Sequence, residues 1–204
     1  MLIIKKVIKG DSMKIKLQQK INIISGSLIT RLKQVDDGEM YNIYDQNRLA
    51  MDNDVLIDTK ENYRKVTIDQ KCNATKVYGG EIVLNMMSGE CVIVSNINNP
   101  MILPYNYVIL EPKSTDILKE FIVFWFSYSD DAKNQIDESL QGSTKVKKMS
   151  LQSLKSFEIE VPELSKQKVI SKILEKRKDL KRLQQKKELL ERKKMSLVLK
   201  ELGV

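Results

Sequence analysis

The last forty residues constrain this chain most. From Pro162 the sequence runs to Leu202 without another proline or glycine, and Gly203 is the first breaker. Such a run reads as one helix of about 38 residues, roughly 57 Å long at 1.5 Å per residue. Ser165 is its expected N-cap, although Lys168 spoils a reciprocal capping box. Steps of four and three from Val169 pick out Val169, Ile173, Lys176, Leu180, Leu183, Lys187, Leu190, Lys194, Leu197 and Glu201. Six of these ten positions are apolar, and Leu183, Leu190 and Leu197 repeat at heptad spacing. Ile170, Leu174, Leu189 and Val198 broaden the stripe. A lone helix of this length would hold rows of Leu and Ile in water, so the stripe asks for a partner. The three lysines on the seam fit a pair of helices, or a helix lying on a domain, better than an ideal zipper.

Charge divides the chain at the same place. Residues 165–204 hold 14 Lys/Arg against 5 Asp/Glu, whereas residues 1–164 hold 21 against 22. The net charge of +8 therefore belongs to the helix, and a polyanion could meet the front domain only through a local basic patch. We expect a recognition domain over residues 1–161 and a spacer or dimerisation helix over 162–204.

Catalysis finds little support. The chain has no histidine, so no His-based triad is available. There is no phosphate-cradling glycine loop and no Gly-x-Ser-x-Gly. Cys72 and Cys91 read as reduced, half-buried thiols. The apolar run at the N-terminus is too short for a signal peptide, and no stretch approaches a membrane span. The expectation is a soluble, cytoplasmic, non-catalytic protein.

Along the chain, residues 1–12 read as an extension before Met13. Leu17–Ser25 carries Ile21, Ile23 and Ile24 before a Ser25-Gly26 turn, and segments at Tyr41–Tyr44, Asp54–Asp58 and Val66–Ile68 read as β-like, separated by turns. Glu81–Leu84 and Cys91–Val94 form a hairpin through Asn85–Gly89. Tyr107–Leu110 is a strand stopped by Pro112. Ser114 or Thr115 then caps a helix from Asp116, apolar almost all round and therefore buried. An amphipathic helix follows with Ala132, Ile136 and Leu140 on one face, then a Ser150-capped turn. Phe157–Val161 alternates like an edge strand. The class is α+β: a mixed, β-rich domain with a few helices, followed by one long C-terminal helix of coiled-coil-forming pattern.

Binding has three candidate sites. The loop with Gln141, Ser143, Thr144, Lys145, Lys147 and Lys148 has no acidic residue. Lysines neutralise phosphates, hydroxyls bond phosphate oxygens, and glutamine can read an adenine edge. The same loop also reads as a solvated inter-helix connection. Lys60, Arg64 and Lys65 around Tyr63 form a second patch. The hairpin tip, with Asn85 and Ser88, is the third.

The stretch Leu140–Ile170, above all Ile159-Glu-Val-Pro162-Glu-Leu-Ser-Lys-Gln167-Lys-Val-Ile170, resembles the end of a target recognition domain of type I restriction–modification specificity subunits. Lys16-Leu17 through Ser25-Gly26 is similar to the opening of such a domain. Asp54-Val-Leu-Ile57 and Gly80-Glu-Ile-Val83 resemble its repeated Gly-Asp-Ile-Leu strands, with Asn53 standing where the family usually has glycine. The resemblance implies a subunit without chemistry of its own, working on double-stranded DNA beside methyltransferase subunits and a restriction subunit. It places S-adenosylmethionine, ATP and Mg²⁺ on those partners and none on this chain. With one recognition domain and one helix, the chain resembles a half-subunit. Two copies could pair antiparallel and read a palindromic, bipartite site. The competing expectation is a structural adaptor whose basic helix binds a protein or RNA.

Overall fold

The computed structural model describes residues 14–55, 63–69, 71–140 and 147–202. Its centre is an antiparallel sheet of four strands: β2 (Ile21–Ser25), β9 (Tyr107–Pro112), β6 (Ile82–Asn85) and β7 (Cys91–Ile93), in that order. Strands β6, β7 and β9 are covered on both faces and read as apolar runs, whereas the edge strand β2 leaves Asn22, Ile24 and Ser25 exposed. Register places Ile23, Leu110, Ile82 and Ile93 in one row, with Val108, Leu84 and Cys91 beside them. That face packs against helices. Val83, Ile109 and Val92 face the other way and meet Tyr44, Leu49, Val77, Met101 and Leu103.

The helical layer is α3 (Lys119–Tyr128), α4 (Asp130–Leu140), α5 (Leu151–Ser156) and α6 (Leu164–Glu201). Helix α3 buries all six residues from Phe121 to Phe126, so its aromatics are core. Each such side chain contributes about 1.5–3 kcal/mol by burial. Ser150 caps α5 by accepting from the Ser153 N–H.

A smaller unit sits on the opposite face. Strands β3 (Gln34–Asn42) and β4 (Lys65–Ile68) pair antiparallel, with Tyr41, Ile43, Val66 and Ile68 packing on Ile102. Strand β5 (Lys76–Val77) pairs antiparallel with β8 (Met101–Ile102). At the domain's base, β1 (Lys14–Lys16) pairs antiparallel with β10 (Glu158–Glu160). The register puts Lys14 opposite Glu160, Lys16 opposite Glu158 and Ile15 opposite Ile159, an arrangement that favours this pairing over slipped ones.

Three expectations need correction. First, Gln46–Asp52 is a helix, α2, following the short α1 (Leu17–Lys20). The Asp45 carboxylate caps it, accepting from the Arg48 N–H at 2.9 Å. Val55 is not in a strand, and residues 56–58 of the expected strand lie outside the described residues. Second, neither Ser114 nor Thr115 caps α3. Its N-cap is Leu118, whose N–H donates to the Gln167 side chain at 2.8 Å. Third, Ser165 is already inside α6, which starts after Glu163 without a side-chain cap.

Gln167 is fully buried. Its Oε1 accepts from Leu118, and its Nε2 donates to Asp116 O (2.8 Å) and Pro162 O (2.7 Å). One and two turns further on, Ile170 and Leu174 join the main core. Gln167→Ala strands one N–H and two carbonyls beside a cavity, so it is expected to cost about 2–4 kcal/mol. Urea unfolding at constant m-value checks this. Loss of less than about 0.5 kcal/mol would contradict the bridging role.

Candidate nucleic-acid interface

One end of the central sheet gathers two of the three candidate sites. Because β2, β9 and β6 are antiparallel, the end of β2, the start of β9 and the end of β6 lie together. Backbone bonds tie the loops there: Met86 N donates to Asn106 O, and Met149 N donates to Met86 O, at 2.8 and 2.9 Å. The hairpin tip, the Tyr105–Asn106 turn and the Lys147–Ser150 segment are therefore one surface. A groove of about 450 Å³ runs between Ser25, Gly26, Tyr105, Lys148 and Leu151. Gly26 is required here: a Cβ would come within 2.1 Å of the Pro104 carbonyl oxygen.

The candidates differ in availability. Lys147 and Ser88 are exposed. Lys148 lies over the Tyr105 ring, 4.1 Å from its centroid, and donates to Tyr105 O at 2.7 Å. Burial holds its ammonium below the usual lysine range. Asn85 is corrected from a contact residue to a framework residue. It is buried, its Oδ1 accepts from Met87 N at 2.9 Å, and its Nδ2 donates to Gln46 Oε1 at 3.1 Å. Gln46 also donates to Glu90, which accepts from the Ser88 hydroxyl at 2.9 Å. This network braces the hairpin tip against α2. Gln141, Ser143, Thr144 and Lys145 lie outside the described residues, as does Lys60.

The second patch stands apart. Tyr63 is half-buried and its hydroxyl reaches Met51 Sδ at 3.5 Å, while Arg64 and Lys65 are exposed at the start of β4. Tyr105, about half exposed at 49%, is a surface aromatic that sequence reasoning passed over. The Pro104-Tyr105-Asn106 turn was its only local signal.

The long helix has two opposed faces. Gln167, Ile170 and Leu174 point into the domain. At 100° per residue the Val169–Leu197 stripe points away from it. Val169, Leu180, Leu183, Leu190 and Leu197 are 48%, 56%, 65%, 55% and 62% exposed, and Ile173 is half-buried. Met195, Val198, Leu199 and Leu202 are exposed further along. Among the described residues, no helix is long and apolar enough to cross a membrane.

With this geometry in view, comparison with known proteins is decisive. A model of the type I restriction modification DNA specificity domain matches residues 10–192. The chain belongs to that family. Solved structures agree on the fold. The HsdS subunit from Thermoanaerobacter tengcongensis superposes with a TM-score of 0.55 at 11% identity, covering 94% of this chain and 44% of that one. The S subunit from M. genitalium gives 0.51 at 18% identity, over 89% and 42%. A chain from a type I restriction–modification assembly gives 0.56 at 12%, over 92% and 44%. This specificity domain thus spans less than half the length of the solved subunits it resembles. No functionally curated protein matches it.

Asn85→Ala removes the brace of the hairpin tip and is expected to cost about 1–3 kcal/mol of stability. Thermal unfolding measures it. An unchanged midpoint with weakened DNA binding would restore Asn85 as a contact residue.

Proposed function

We propose that this specificity domain works as a half-subunit, reading one half of a bipartite DNA site while its long helix pairs with that of a second copy. The observation that carries this reading is the apolar stripe of α6, exposed on the face turned away from the domain. Burying it needs another helix. A second copy is self-complementary by symmetry and would place a second recognition surface at the far end of the strut. Two copies also make up about the length of one solved subunit, of which this chain covers 44%.

The reading surface is the end of the central sheet. Lys147 supplies a cation for phosphate, Ser88 a hydroxyl, and Tyr105 with Lys148 a braced aromatic edge. Tyr63, Arg64 and Lys65 form a secondary surface. Symmetry makes the site palindromic, with half-sites separated by a strut that spans about one and a half turns of B-DNA. The chain itself does no chemistry in this reading. It directs a methyltransferase subunit, using S-adenosylmethionine, and a restriction subunit, using ATP and Mg²⁺, to their DNA in the cytoplasm.

Light scattering on the purified chain is expected to give a dimer, and Leu183→Glu with Leu190→Glu a folded monomer. Replacing Lys145, Lys147 and Lys148 with alanine should weaken DNA binding and shallow the slope of log K against log salt by about 2 to 3. A monomeric wild-type chain, or a lysine variant with unchanged DNA affinity, would contradict the proposal. The latter, with partner binding lost in the leucine variant, would favour the adaptor.

A further inference from the structure

Beyond Leu174 a set of polar contacts ties the long helix to the domain, and Leu180 lines the cleft beside them. Arg177 lies over the Tyr128 ring at 4.7 Å. Lys181 donates to the Asn53 carbonyl at 2.7 Å. Asp54 grips the helix across one turn: Arg182 Nε and Nη2 reach its Oδ1 at 2.8 and 2.6 Å, and Lys178 stands 3.7 Å from its Oδ2. Behind these contacts lies a cleft of about 290 Å³ bounded by Val92, Val123, Ser127, Leu174 and Gln184.

Asp54 is built to make this grip. Its φ is +55°, the left-handed position just past α2 that suits glycine best. A glycine would relieve that backbone but would carry no carboxylate. The residue stands on a firm base, because Asp52, two positions earlier, is buried and accepts from Tyr44, Arg48 and Ser95. Asp54 itself is only 10% exposed.

We propose that Asp54 is a positioning residue that fixes the angle at which α6 leaves the domain. On the paired-reader function proposed above, that angle sets the separation of the two half-sites. With the grip in place the helix is supported as far as Arg182. Without it, the helix beyond Leu174 keeps only Arg177 over Tyr128 and Lys181 on the Asn53 carbonyl, on an arm of roughly 40 Å from Leu174 to Glu201. A swing of about 10° then moves the far end by roughly 7 Å, or about two base pairs.

The test has two arms. In the first, spin labels at Glu120→Cys and Ser196→Cys in a Cys72→Ser background report the angle, with labelled chains diluted in unlabelled ones. Cys91 is buried and stays unlabelled. Asp54→Asn keeps a residue that tolerates the left-handed backbone and removes only the charge. It is expected to shift or broaden the distance distribution by about 5 Å or more. Arg182→Gln should do the same, the double variant should do no more than either single, and high salt should move the wild type toward them. An unchanged distribution in Asp54→Asn overturns the proposal. In the second arm, DNA duplexes carry half-sites whose spacing varies by one base pair at a time. Asp54→Asn should flatten a spacing preference of about tenfold while binding a single half-site as the wild type does. A spacing preference retained despite an altered angle overturns the link to the site. A wild type without any spacing preference overturns the paired reading and that link together, and the distance arm still decides whether Asp54 sets the angle.

Discussion

The amide of Gln167 joins three parts of the chain that would otherwise meet only by contact. Its oxygen closes the open N-terminus of α3, and its nitrogen ties the Asp116 and Pro162 carbonyls. Full burial makes the arrangement specific, since any displacement of α6 by one residue would strand all three partners without water. Ile170 and Leu174 then add burial one and two turns later. The start of a 38-residue helix is thereby seated on the domain through its first three turns.

From that fixed start the two faces of α6 take separate tasks. The inner face belongs to the domain as far as Leu174 and is handed to Asp54 and Asn53 beyond it. The outer face keeps its leucines in solvent along the whole length. In the proposed function, the end of the central sheet and the exposed seam on the strut together serve a reader of two separated DNA segments. The charge of the helix is secondary to its geometry in this account. Three of its lysines, Lys176, Lys187 and Lys194, fall on the seam itself.

Much of the fold was legible because its signals are local. The alternating Phe157–Val161 strand, the Gly-containing hairpin and the breaker-free helix all carry their own pattern. Helix α2 escaped because Asp45 and Asn47 read as turn residues between β-like runs, although the Asp45 cap was present. The cap of α3 could not be read locally, since it comes from Gln167, 49 residues away. Asn85 had the composition of a contact residue, and only its partner Gln46, 39 residues back, shows it to be framework. Family membership was legible from Leu140–Ile170, where strand, turn, Gln167 and helix start fall in one stretch.

Hydrogen exchange along α6 tests the central claim most directly. Amides from about Gln167 to Leu174 should stay protected at every chain concentration, because the domain itself holds them. Amides from Leu183 to Glu201 should be protected at high concentration and lose that protection on dilution, as the outer seam separates from its partner. Concentration-independent exchange across the whole helix would contradict a strut that one domain anchors and a second copy completes.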